Sequence, residues 1–166
     1  GDDRYLREIA AAVSLPCIRK DFTVDPYLIY EARELGASAV LLICALLGRS
    51  ELEEYLGIAE ELGLSALVEA HDEEEVGRAA EVGARLIGVN NRDLKSFSVN
   101  MENSIRLRAA APDNCIFIAE SGVRTPADTR ALRTVGADGI LVGEALMRAE
   151  NKAELLQALR KGYEEA

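Results

Sequence analysis

A repeat of two hydrophobic periods constrains this chain more than any other feature. Short β-branched or leucine-rich runs occur at "CIR", "AVLLI", "ALVEA", "LIGVN", "CIFIAES" and "GILVG", and each is followed by a longer amphipathic stretch with helical spacing. The runs recur roughly every 20 to 30 residues, about the length of a βα unit. Between helix and next strand, "LGAS", "LGLS", "VGAR" and "VGAD" put Gly36, Gly63, Gly83 and Gly136 where a left-handed C-cap is needed. Asp25-Pro26 and Thr125-Pro126 mark helix starts, each a capping side chain followed by proline at the first helical position. Strands alternating with helices in this way imply a parallel sheet. The 166 residues suffice for one domain with a real core, and residues 1–166 are expected to form a single unit.

Open doubly wound sheets and closed barrels share this alternation, so the strand ends must separate them. No glycine-rich fingerprint follows the first run. Polar groups gather instead at the carboxyl ends of nearly all the runs: Lys20, Glu69, Asn90 with Asn91, Glu120 with Ser121, and Gly143. That distribution suits a (β/α)8 barrel, whose active site draws on many strand ends at one face. Side chains alternate along a strand, which pairs Ile18 with Lys20, Leu67 with Glu69, Gly88 with Asn90 and Ile118 with Glu120 on one face. Lys20, Glu69 and Glu120 stand on the first, third and fifth runs and are predicted to share one layer. A complete barrel takes about 250 residues, so the expectation is an α/β chain with about six βα units.

Composition narrows the chemistry. A formal net charge of −10 argues against nucleic acid and anionic membranes as partners. The longest apolar run, "ASAVLLICALLG", is shorter than the roughly 20 residues that span a bilayer, and no signal-peptide pattern opens the sequence, which makes cytoplasmic residence the expectation. Cys17, Cys44 and Cys115 each lie inside an apolar run and read as buried free thiols, while the single histidine, His71, builds no zinc site alone. No metal site is expected from these residues. An anionic ligand would have to be held by local groups, and "ESGVRTP" and "LVGEALM" each pass from a strand through glycine into a helical pattern. Gly122 or Gly143 alone would read as turn relief. Both together, after the last two strands, point to phosphate.

The segments "IRKDF", "DPYLIYEARELGASAVLLI", "LVEAHDEEE", "IGVNNRDLKSF", "AESGV" and "LVGEALM" resemble the indole-3-glycerol-phosphate synthases, barrel enzymes of tryptophan biosynthesis. The resemblance covers essentially the whole chain, with the motifs in family order. Relative to that family, the sequence is expected to begin in the helix before the third strand, without the first two strands or the segment that covers the site. The resemblance implies a lyase that converts 1-(2-carboxyphenylamino)-1-deoxyribulose 5-phosphate to indole glycerol phosphate with loss of carbon dioxide and water, using no cofactor. It implies Lys20 as proton donor and Glu69 as general base, the latter also readable as a carboxylate simply paired with a lysine. Asn90 would bond substrate hydroxyls or orient Lys20, and Glu120 would hold the sugar end or position the neighbouring cation.

Ser121, Gly122, Gly143 and Glu144 match the family's phosphate cradle; glutamate at 144, where the family uses serine, leaves the backbone N–H as the expected contact. Phe22, Leu41, Arg92 and Leu94 would line the anthranilate pocket, although Leu41 also reads as core and Arg92 as a surface charge. His71 is expected to border the next helix. Another phosphate-binding barrel, such as a phosphoribosyl isomerase, would share the glycine-marked strand ends but not the lysine and glutamate of "RKDF" and "LVEAH". A further alternative is a chain that binds phosphate without catalysis. The family's first strand supplies a second lysine with no counterpart here, so little or no activity of the chain alone is expected. Open edges at "CIR" and "GILVG" predict self-association.

Overall fold

The computed structural model describes residues 2–93 and 96–165, so Leu94 lies outside the described residues. One parallel sheet contains β1 (Ile18–Arg19), β2 (Ala39–Ile43), β3 (Ser65–Ala70), β4 (Leu86–Asn90), β5 (Ile116–Glu120) and β6 (Gly139–Leu141), in chain order from edge to edge. Helix α1 (Asp3–Ala12) precedes β1. The connections carry α2 (Tyr27–Glu34), α3 (Arg49–Glu61), α4 (Glu73–Glu81), α5 (Glu102–Arg108) and α6 (Pro126–Thr134), and α7 (Glu144–Arg148) and α8 (Lys152–Glu164) follow β6. The strand order never reverses, so the sheet has no switch point of the doubly wound kind.

The strand faces bury different things. Val40, Leu42, Val68, Ile87, Val89 and Phe117 point outward into the main core beneath the helices. Leu41, Ile43 and Leu67 point the other way and gather with Ile18, Leu86, Ile118 and Leu141 into a smaller inner cluster. That cluster requires a curled sheet. In a flat one the first and fifth strands would stand about 19 Å apart, four spacings of about 4.8 Å, yet the ammonium of Lys20, next after β1, lies 3.1 Å from Glu120 at the end of β5. The architecture is a partial (β/α)8 barrel.

Local chemistry explains the element ends. Gly36, Gly63, Gly83 and Gly136 adopt φ of 90°, 68°, 77° and 87°, the left-handed conformation read from their place in the sequence. Thr125 caps α6 with a reciprocal box to Asp128, and Pro126 opens the helix. The other cap is shifted by one residue. Helix α2 starts at Tyr27, with Asp25 Oδ1 accepting the Tyr27 N–H at 2.9 Å, so the aspartate still serves the first orphan donor. All three cysteines are free, as expected, but only Cys44 and Cys115 are buried. Cys17 is half-buried, because the strand that follows it sits at the sheet edge with a single neighbour.

Candidate active site

The carboxyl ends of β3, β4 and β5, with the residue after β1, place four polar side chains together. Lys20 Nζ lies 3.1 Å from Glu69 Oε2 and 3.1 Å from Glu120 Oε2. Both carboxylates are almost wholly enclosed, at 2% and 1% exposure, while the lysine retains a third of its side-chain surface. Asn90 Nδ2 donates to Glu69 Oε1 at 3.1 Å, and Asn90 Oδ1 accepts the Arg92 N–H at 3.0 Å. Asn90 thus hydrogen-bonds Glu69, a contact not among those expected from sequence, which were substrate hydroxyls or Lys20.

Electrostatics divides the two glutamates. Burial first, then the negative charge of Glu69, pushes the Glu120 carboxyl up to about 7, against the pull of Lys20. Its oxygens stand at ion-pair distance from the lysine but in no hydrogen-bond geometry. Burial works against the Lys20 ammonium, but Glu120 and Glu69 together outweigh it and hold its pKa above the ordinary lysine value. A charged donor is thus kept next to a carboxyl that readily holds a proton. Room for Glu120 comes from Gly88 on the adjacent strand: a Cβ there would collide with Glu120 Oε1.

A cavity of about 790 Å³ opens beside this cluster. Lys20, Arg92, Ser121, Gly122, Gly143 and Glu144 help line it. Ser121 and Gly122 both take positive φ, 65° and 87°, at the turn that leaves β5. Asn91 secures that turn, donating to the Ser121 carbonyl at 3.1 Å while its Oδ1 accepts from the Ser104 N–H and hydroxyl. A Cβ at Gly143 would meet nothing within 4 Å, so glycine there leaves open space. The Glu144 carboxylate turns to Arg92 at 2.7 Å and Arg148 at 3.0 Å, and its pKa is lowered chiefly by the Arg92 hydrogen bond.

Of the other residues singled out from sequence, Leu41 is buried in the inner cluster and Phe22 is exposed on the loop after β1. Arg92 is paired with Glu144, and both line the cavity. Sequence reading put Gly88 on the face of Asn90 without giving it a role and passed over Arg124 and Arg148, further cations of the cavity wall. Gly88 shares a strand face with Asn90, a signal that pointed to the site. Nothing in the spacing of the arginines did.

The sequence model of the family described as indole-3-glycerol phosphate synthase matches residues 1–159. The indole-3-glycerol phosphate synthase of Ruminiclostridium cellulolyticum is 55% identical over 160 residues, covering 96% of this chain and 62% of the relative. That of Carboxydothermus hydrogenoformans is 51% identical over 160 residues, covering 96% and 61%. The chain thus spans about three-fifths of the length of these curated relatives. Among solved structures, 3-hexulose-6-phosphate synthase from Salmonella typhimurium superposes with a TM-score of 0.85 at 14% identity, covering 98% of this chain and 80% of that one. Thiamine phosphate pyrophosphorylase from Pyrococcus furiosus gives 0.75 at 21%, covering 99% and 79%. These two likenesses concern the fold alone. The family match and the identity of half or more to named relatives lead to one assignment: the chain belongs to the indole-3-glycerol phosphate synthase family.

Proposed function

We propose that this chain carries the proton-transfer centre and phosphate cradle of an indole-3-glycerol phosphate synthase, a decarboxylating carbon–carbon lyase that needs no cofactor. One observation supports this above the rest: the Lys20 ammonium held between two enclosed glutamates beside a cavity that Arg92, Arg124 and Arg148 help line. In this reading the substrate's phosphate lies against the Ser121–Gly122 and Gly143–Glu144 backbone, and its carboxylate meets Arg92. Lys20 donates a proton to the ketose carbonyl oxygen while the aromatic carbon bearing the carboxylate attacks the carbonyl carbon. Carbon dioxide leaves, returning its bonding electrons to the ring. Lys20, reprotonated from solvent, gives a second proton to the new hydroxyl, which departs as water, and Glu69 takes the proton whose loss completes the indole.

Glu120 keeps Lys20 placed and charged between these steps. Phe22, Leu41 and Leu94 complete the aromatic pocket in this proposal. The pairing of Glu69 with Lys20 leaves that base role open, because a carboxylate released by the lysine becomes free to accept.

The test uses an enzyme of the relatives' length. Lys20→Ala should lower kcat on the order of 10² to 10⁴ with little change in KM, the usual cost of losing a positioned acid. Glu69→Gln should let a ring-closed intermediate accumulate. Product is followed by indole fluorescence. Normal turnover in the lysine variant, with weakened binding alone, would make Lys20 an anchor and remove the assignment.

A further inference from the structure

The reaction as proposed leaves a half-buried histidine beside Glu69 unused. His71 lies two residues beyond Glu69, where the chain leaves β3. Its backbone N–H donates to Glu75 Oε2 at 2.7 Å, and its carbonyl accepts from Asn103 Nδ2 at 3.1 Å. The ring is held as well, with Nδ1 3.2 Å from the same Glu75 oxygen. On its far side Nε2 faces Glu69 Oε1 at 3.4 Å, within ion-pair distance, and is itself buried with no hydrogen-bond partner among the described residues.

Both ring nitrogens therefore face carboxylate oxygens. A neutral imidazole has one N–H and one lone pair, so either tautomer would set a lone pair against an acceptor. Only the imidazolium donates on both sides. The surrounding charges agree. Glu69 on β3, Glu75 on α4, Glu120 on β5 and Lys20 after β1 face this region, α5 contributes the neutral Asn103, and Asp72 is engaged in capping α4. Three carboxylates meet one lysine, an excess of negative charge that favours a second cation among them.

Building on Glu69 as the proton acceptor, we infer that His71 is a positioning residue: as an imidazolium it bridges Glu75 to Glu69 and fixes the carboxylate from its Oε1 side. The hydrogen bond to Glu75, followed by the charges of Glu69, Glu75 and Glu120, outweighs burial and raises the His71 pKa above the ordinary value. Glu69 is then gripped at Oε1 by His71 and Asn90, and meets Lys20 only through Oε2. When the ammonium turns to the substrate, that second oxygen is left facing the reaction with its orientation kept.

The chain has one histidine, so its imidazole resonances are unambiguous. NMR titration of the 15N-labelled 166-residue chain should show a midpoint above about 6.5, with both nitrogens protonated below it. Glu75→Gln and Glu69→Gln should each lower the midpoint. A midpoint at or below 6.5, or one indifferent to Glu69→Gln, would overturn the bridge, and this arm needs no substrate. In an enzyme of the relatives' length, His71→Ala should cut kcat by about 10 to 100-fold, leave KM near its original value, and shift the acid limb of the kcat–pH profile. An unshifted profile with unchanged kcat would overturn the positioning role. Absence of synthase turnover in the unmodified enzyme would instead sink the proposed function, while the titration would still judge the bridge.

Discussion

At the scale of single residues, the site depends on an atom that is missing. Gly88 has no side chain, and the Glu120 carboxylate fills the space a Cβ would take. Gly88→Ala should push that carboxylate out of its place beside Lys20, costing about 1 to 3 kcal/mol of stability by overpacking and at least about tenfold in turnover by misplacement. Denaturant unfolding and steady-state kinetics read the two effects. Shortening the displaced group by Glu120→Asp in the same background should restore stability but not turnover; a fully active Gly88→Ala enzyme would show that the contact is slack. Single positions also mark the limit of what could be read from sequence. Lys20, Glu69 and Glu120 were predictable as neighbours, because strand alternation and barrel layering place them together. The Arg92–Glu144 pair joins residues 52 apart in loops whose paths follow no period, so only the structure reveals it.

At the scale of elements, the strands were legible because parallel strands buried on both faces must be continuous apolar runs. "AVLLI" and "LIGVN" match β2 and β4 residue for residue. Helix ends were legible where glycine or a capping side chain was compulsory. The segment after β4 was not, since its short antiparallel bridge between Arg92 and Val99 carries no alternation that a pattern could catch. Helix packing was equally silent in the sequence. Gly162 on α8 lies so close to α6 that a Cβ would stand 2.5 Å from both the Pro126 carbonyl oxygen and Thr129 Oγ1. Gly162→Ala should therefore pry the two helices apart and lower the unfolding free energy by about 1 to 3 kcal/mol. A denaturation midpoint equal to that of the parent would refute this close approach.

At the scale of the whole molecule, the enclosed Glu120 makes stability depend on pH in an unusual direction. The Glu120 pKa rises from 4.5 to about 7 on folding, so between those values the folded chain holds a proton that the unfolded chain has released. The contribution is complete below about 4.5 and is lost as pH rises to 7, on the order of a few kcal/mol. His71, also raised, acts with the same sign at higher pH. Glu120→Gln should flatten the decline in melting temperature across this window, and an unchanged slope would contradict the assignment. The two sheet edges predict a second collective property. β1 and β6 each have one unpaired side, and beside β6 an apolar hollow of about 310 Å³ is walled by Ile140, Val142, Leu146, Leu156 and Tyr163. Light scattering of the isolated chain should detect association that grows with salt as the net charge of −10 is screened; a monomer at all salt concentrations would count against exposed edges as sticky surfaces. One of these edges bears on catalysis through fraying. Lys20, the proposed proton donor, follows a strand only two residues long, and that strand is moored by Arg19, which reaches Glu31 at 2.7 Å, Asp3 at 3.2 Å and the Leu28 carbonyl at 3.2 Å. Local opening there exposes little core and so requires far less free energy than global unfolding. On warming, the acid should come adrift while the rest of the barrel still holds, and the working temperature range of such a protein is set by its shortest strand.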